Sequence, residues 1–385
     1  MRAQIKIGFI ALNDAALIVV AEALGFYASE GLEVTLSREA NWSNIRDKVS
    51  YGLLDGAHML ATLPLSRGLG LGPTLGQIIA PMALGANGNS VVVSSRLKAV
   101  FEDQGASSLL ESARALRQVI QLRRSVGEGP ITLAMPFTYS PHHFVLRHWL
   151  AAGGIDPDRQ VQWVVLPPSR MADALRDGVI DGFCSGSPWP QMAELKGDGQ
   201  VLFSDPDFWT LKPEKVLGLR GVWAEENPEA VRGLVRALLR AAQWASNPAN
   251  QGQLAEILAR DIYVGAPLEA VQKALSEGGA GLVLDPQTAT FPWLSHAKWF
   301  MGQFVRWGLT SEAHDFGAIA RNVYRPDLWR HAAGDMGLSL PLSDEKDEGG
   351  HIQSWSLPAE PTDILMPPNR LFDGGLFRSV PAEPA

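Results

Sequence analysis

Short apolar runs alternate with stretches of helical periodicity through most of this chain. Ile5 to Leu12 reads as a strand, Asn13-Asp14 as cap-type residues, and Leu17 to Tyr27 as a helix. Leu32 to Leu36 is a second strand, and Asn41 caps a helix that starts near Trp42 and buries Ile45 and Val49. Gly56 to Leu60 gives a third strand, and Thr62-Leu63-Pro64 opens a helix that ends in the glycines around Gly68, Gly70 and Gly72. Ile78 to Leu84 and Val91 to Val93 flank a turn-rich patch, Ala86-Asn87-Gly88-Asn89, where the chain is expected to cross into a second domain.

The pattern then repeats. A mostly polar helical region at 99–128 leads to a strand at Ile131 to Phe137. Ser140 as N-cap and Pro141 at the first helical position open a helix carrying Phe144, Leu146, Trp149 and Leu150, which stops at Gly153-Gly154. A strand at Val161 to Leu166, a helix at Met171 to Arg176 and a strand at Val179 to Cys184 follow. Ser185-Gly186-Ser187-Pro188 then leads into a helix with Trp189 in its first turn. Val216 to Leu219 reads as a strand returning to the first domain, and Asn227-Pro228 opens an amphipathic helix, Ala230 to Ser246, with more helices to about residue 330. This βαβ order predicts an α/β protein with largely parallel sheets. The charged segment 344–350 is followed by Trp355, Ile364, Leu365, Met366, Phe372 and Phe377, too apolar for a free tail, so residues 336–385 are predicted to form an extended arm wrapping the body.

Strand-to-helix turns are where open α/β sheets bind ligands, because the first backbone N–H groups of each helix point outward unpaired. Here they carry Asn13, Asn41 with Trp42, Ser140 with His142, and Gly186 with Trp189. Each one singly is ordinary helix punctuation. The repetition, with a histidine and indoles beside the caps, points to a cradle for a small anion.

Composition narrows the options. The chain has 385 residues, 46% apolar and 19% charged, enough for two or three ordinary domains. Its net charge of −8 disfavours a nucleic-acid or anionic-membrane surface. One cysteine, Cys184, excludes an internal disulfide and a cysteine-based metal cluster. No apolar run approaches the roughly 18 residues of a membrane span. The N-terminus is basic and then apolar, but Asn13-Asp14 splits the run and cleavage would delete the first strand and helix, so a non-exported, cytoplasmic protein is expected.

Catalytic constellations are not found. Gly182 to Gly186 reads GFCSG and not the G-x-S-x-G nucleophile elbow, and the glycines at 68–72 lack phosphate-loop spacing. His142, His143 and His148 do not share a helical face as metal ligands would; His143 pairs with Arg147 instead. His58 reads as a satisfied core histidine and Asp181 as a structural turn residue. No enzyme activity, metal or cofactor is expected.

Several segments carry a resemblance. GFIALNDAALIVVAEALGFYASEGLEVTLSREANWSNIRDKVSYGLLDGAHMLATLPLS, LAMPFTYSPHHFVLRHWLAAGGIDP, IDGFCSGSPWP, FWTLKPEKVLGLRGVWAEENP and LFDGGLF resemble, in order, the nitrate- and bicarbonate-binding proteins of ABC importers. The resemblance implies a type II periplasmic-binding-protein-like fold: two α/β lobes, a hinge and an anion in the cleft between them. The lobes are then expected at 1–90 with 216–335 and at 91–215, with 336–385 as a C-terminal extension. The closest likeness is to the family's cytoplasmic nitrate/nitrite sensors (NasS-like). Those bind nitrate or nitrite and, without it, hold an antiterminator partner with an RNA-binding domain (NasT-like) inactive.

Position by position, the resemblance assigns ligand contacts to Trp42, Asn89, His142 and Gly186, with Trp189 closing the pocket. Core packing competes about evenly for Trp42 and is favoured about two to one for Trp189. Ser187 stands where an acid is usual. The position that is lysine in nitrate binders and acidic in metal-assisted bicarbonate binders falls on Thr210, which is neither; Lys212, two residues on, is the candidate for the missing cation. Nitrate is flat, singly charged and accepts at all three oxygens, which suits these amide, indole and imidazole donors. A charged His142 implies an affinity that weakens as pH rises through the high sixes and sevens. The competing readings are an importer's substrate-binding component and an enzyme related to thiamine-pyrimidine synthases.

Overall fold

The computed structural model describes residues 3–72, 76–311 and 313–378. Its ten main strands are β1 Ala3–Ile10, β2 Leu32–Glu39, β3 Gly56–Leu60, β4 Ile78–Ala83, β5 Asn89–Val93, β6 Ile131–Met135, β7 Val161–Val165, β8 Gly182–Gly186, β9 Gln200–Ser204 and β10 Lys215–Arg220. They form two five-stranded sheets, β2-β1-β3-β10-β4 and β7-β6-β8-β5-β9. Each sheet has the same design. A parallel trio (β2, β1, β3 or β7, β6, β8) is followed by an antiparallel strand that the chain lays down soon after changing unit.

The chain divides into a first unit of residues 1–87, 209–265 and 282–385 and a second of 88–208 and 266–281. The first crossing falls at 87/88, three residues before the expected boundary, where Asn87 (φ 61°) and Gly88 (φ 106°) both take left-handed backbone. The return falls at 208/209 and not 215/216, because the 209–212 segment is already tied into the first unit. Lys212 N–H donates to Asn87 Oδ1 at 2.8 Å, Asn87 N–H to the Lys212 carbonyl at 2.8 Å, and Thr210 N–H to the Arg370 carbonyl at 3.1 Å. Residues 266–281, expected in the first lobe, belong to the second unit: Lys273 on the helix Leu268–Leu275 pairs with Glu194 at 2.5 Å.

Local expectations are corrected in three places. The helix predicted over Leu17 to Tyr27 is broken at Gly25, whose φ of 73° ends Ala16–Ala23 and starts Phe26–Ser29. Asn13 and Asp14 are not caps; they form the 3-10 turn Asn13–Ala15, whose cap is Leu12 with no side-chain bond. The strand predicted from Val179 begins three residues later, at Gly182, and takes in Ser185 and Gly186. Val179 is 60% exposed, and Asp181 ends the turn by accepting from Thr132 N–H at 2.8 Å and from Arg123 at 2.6 Å.

The C-terminal arm belongs to the first unit, and its short strands, β11 Leu340–Pro341, β12 Trp355–Leu357, β13 Ala359–Glu360 and β14 Ile364–Met366, pair with one another as β11-β13 and β12-β14. Glu348 is fully buried there, accepting from Ser295 Oγ at 2.7 Å and Asn369 Nδ2 at 2.7 Å. The part of the arm at 379–385 lies outside the described residues.

Candidate functional site

In the second unit, parallel β6 and β8 end on one edge of the sheet, and antiparallel β5 begins there, with Asn89 opposite Gly186. His142 is the second residue of the helix Pro141–Ala152 that follows β6, and Trp189 is the first of Trp189–Leu195, which follows β8. Four of the expected contact residues therefore sit on one edge: Asn89, His142, Gly186 and Trp189. Ser140 caps the first helix by accepting from His143 N–H at 3.2 Å, which fixes its start. His142 and Asn89 are fully buried.

The Asn89 backbone N–H donates to Asp205 Oδ2 at 3.0 Å, but its side-chain amide has no protein partner. Ser187 Oγ and Gln191 Oε1 are likewise buried without one, while the Ser187 N–H is committed to the Gly88 carbonyl at 2.9 Å. Behind them run neutral hydroxyls, with Gln191 Nε2 donating to Ser90 Oγ at 3.3 Å and Ser90 Oγ 2.7 Å from Ser204 Oγ. Buried polar groups left unpaired are uncommon in folded proteins and mark places where something else supplies the hydrogen bonds.

In the first unit the corresponding edge holds charges. Asn13 and Asp14 follow β1; Trp42 begins the helix Trp42–Ser50, capped by Asn41 accepting from Asn44 N–H at 2.9 Å. His58 lies on β3, and Lys215 opens β10 opposite Leu60. Lys215 Nζ reaches Asp14 Oδ2 and Glu214 Oε1, both at 2.8 Å; Lys212 pairs with Glu214; His58 Nε2 lies 2.9 Å from Asp14 Oδ1. Burial alone would raise the Asp14 pKa, but Lys215 and His58 pull it down to about 2. Burial would lower Lys215, yet Asp14 and Glu214 hold it above its ordinary value. For His58 burial outweighs the Asp14 carboxylate beside it, so its pKa lies below the ordinary value. Trp42 packs over this network, 5.4 Å from the His58 ring and with Lys215 Nζ 5.5 Å from its own centroid, and its buried indole N–H has no acceptor.

The two remaining expected contacts behave differently. The Thr210 hydroxyl donates to the Pro368 carbonyl at 2.8 Å and accepts from Arg370 N–H at 2.9 Å, so it clasps the arm and has no proton left for a ligand. Lys212 is 1% exposed, and its charge is matched by Glu214. Among the described residues, no group of three or more His, Cys, Asp or Glu side chains is placed to hold a metal ion, and no helix is long and apolar enough to cross a membrane.

Comparison with known proteins fits this arrangement. A sequence profile of the NMT1-like family matches residues 2–259. The chain belongs to the NMT1-like family. Within this family's reach, it is 31% identical over 358 residues to the nitrate/nitrite binding protein NrtA of Synechocystis, covering 87% of this chain and 77% of NrtA. It is 33% identical over 351 residues to the nitrate import ATP-binding protein NrtC of the same organism, and spans only about half of NrtC's length. The crystal structure of the periplasmic nitrate-binding protein NrtA from Synechocystis superposes with a TM-score of 0.83 at 27% identity, covering 98% of this chain and 95% of that one. This NMT1-like chain therefore has the α/β, two-lobed, type II periplasmic-binding-protein-like fold, and the relatives named above are a nitrate/nitrite binding protein and a nitrate import ATP-binding protein.

Sequence reasoning did not single out Asp14, Lys215 or Gln191 as site groups. Asn13-Asp14 was the available signal: a polar pair that interrupts an apolar run yet caps no helix.

Proposed function

We propose that this protein binds nitrate or nitrite at the second-unit edge that carries Asn89, His142, Gly186 and Trp189. The observation that carries this reading is the likeness to the nitrate-binding protein NrtA, 31% identical in sequence and covering 98% of this chain in structure. The buried, unpartnered amide of Asn89 supports it, because a planar acceptor needs such an in-plane donor. Calorimetric titration with nitrate, nitrite, bicarbonate and sulfate tests it. Selective binding of the first two, weakened about tenfold or more in His142→Ala, is the expected result. Unchanged affinity in the mutant would remove His142 from the site, and no binding of nitrate or nitrite would remove the reading.

At a finer level, we propose a cytoplasmic sensor of the NasS-like kind, in which the bound anion decides whether an antiterminator with an RNA-binding domain (NasT-like) is held inactive. The support is the run of motifs from GFIALNDAALIVV to LFDGGLF. Ligand would act by binding the partner-free state more tightly. A complex with such a partner that forms without nitrate and dissociates on its addition is the expected result in size-exclusion chromatography. No complex under either condition would leave the second reading, an importer's substrate-binding component, which the NrtA and NrtC relatives favour.

A further inference from the structure

The second unit carries an apolar surface at the end of its sheet away from the candidate site. β6 and β8 start there and antiparallel β5 ends there. Residues from the end of the helix Leu109–Ser125 and from the turn before β8 line a groove of about 730 Å3. Leu122, Val126 and Val179 are among them, at 64%, 62% and 60% exposure. Val126 N–H donates to the Leu122 carbonyl at 3.2 Å, so these two stand one helical turn apart on one row, and Val179 comes from the turn. One exposed aliphatic is ordinary; three on a single concave surface mark a binding face. The groove runs on into a second of about 630 Å3, with which it shares Arg123, Glu128, Gly129 and Pro130.

The charges on this surface are not balanced. Asp181 and Glu128 both turn to Arg123, at 2.6 and 3.7 Å, and Asp156 pairs with Arg159 at 3.7 Å. Arg96 and Arg124 also line the two grooves, are exposed, and have no carboxylate partner among the described residues. The backbone limits what can sit here. β6, β8 and β5 are the inner strands of the order β7-β6-β8-β5-β9, so they offer no free edge for a partner strand to join. Among the described residues no aromatic side chain lines either groove, as capture of a proline-rich segment would require. An amphipathic helix remains, the form that lays aliphatic side chains into such a groove and keeps charges at its flanks.

We propose that this groove docks an acidic amphipathic helix of a partner protein, its aliphatic face on Leu122, Val126 and Val179 and its carboxylates on Arg96 and Arg124. The surface is separate from the anion-binding edge and does not depend on that reading. Fluorescence anisotropy of the full chain with two labelled synthetic helical peptides tests it. Both peptides carry leucines at i, i+3, i+4 and i+7, one flanked by glutamates and the other by lysines. The glutamate peptide is expected to bind with a Kd on the order of 10–100 μM, and the lysine peptide about tenfold or more weakly. Leu122→Ser combined with Val179→Ser, both at exposed positions, should weaken the glutamate peptide about tenfold while circular dichroism stays unchanged. Arg96→Glu with Arg124→Glu should reverse the preference between the peptides. A glutamate peptide that does not bind, binds no better than the lysine peptide, or binds the double-serine variant equally well would overturn the proposal. So would a wild-type dimer in sedimentation velocity that the double-serine variant abolishes, because the face would then belong to a second copy of this chain.

Discussion

The two units share one strand order but stock the same sheet edge with different chemistry. In the first unit the edge holds buried ions, Asp14, Glu214, Lys212 and Lys215, with His58 beside Asp14. In the second it holds mostly neutral amides and hydroxyls, Asn89, Ser187, Gln191, Ser90 and Ser204, beside His142, with the buried Asp205 carboxylate accepting from the Asn89 N–H. Topology explains the common location: parallel strands end, helices begin, and an antiparallel strand enters, so unpaired backbone and polar side chains gather at one edge in both. It does not dictate charge. The difference predicts that the ions of the first edge tolerate deletion less well than the dipoles of the second.

Lys215→Met breaks the comparison most severely. It removes the buried ammonium that both Asp14 and Glu214 reach, and removing one partner of a buried ion pair typically costs about 3–5 kcal/mol. Denaturant unfolding should show a loss of that order. A loss below about 1 kcal/mol would mean that the first unit's ions are no more demanding than the second unit's dipoles.

The second unit's histidine at 143 gives the next effect. Its Nδ1–H donates to the Thr138 carbonyl at 2.7 Å and its Nε2 accepts from Arg147 Nε at 2.9 Å, so a second proton would face the guanidinium. Burial, with Arg147 adding to it, lowers its pKa to about 4, against the partial opposition of the Thr138 carbonyl. Because the unfolded state takes up the proton near 6.5 and the folded state only near 4, the unfolded state binds more protons between them, and stability falls as pH drops through that window. Its share reaches about 3 kcal/mol by the bottom of the window. His143→Gln should flatten the unfolding free energy between pH 7 and pH 4 relative to the wild type. An identical slope in both would show that His143 does not carry the dependence.

What was legible in the sequence was local. Asn41 and Ser140 cap the helices they were expected to cap, because a side chain reaching three residues on needs only its own segment. The His143–Arg147 pair followed from helical spacing alone. Val179 misled because an apolar residue beside Ile180 reads as strand, and only the long-range bond from Thr132 to Asp181 places the turn. The ion set was illegible for the same reason. It joins residues 14, 58 and 212–215, which no periodicity connects, and Lys212 and Thr210 could not be weighed without knowing that Glu214 and the C-terminal arm already hold them.

The smallest expected effect is the sharpest test of the contrast. Gln191 is buried at 2% exposure, yet among the described residues its side chain makes a single 3.3 Å donation, to Ser90 Oγ, and its Oε1 has no protein partner. Ser90 keeps its 2.7 Å bond to Ser204 if that donation is lost. Gln191→Leu therefore removes one long hydrogen bond, worth about 1 kcal/mol, and with it one unsatisfied acceptor whose burial costs about as much. With little change in volume, the net change in stability should lie within about 1 kcal/mol of zero. A loss comparable to that of Lys215→Met would show that the second unit's neutral groups act as one interlocked network, and the distinction between its dipoles and the first unit's ions would not hold.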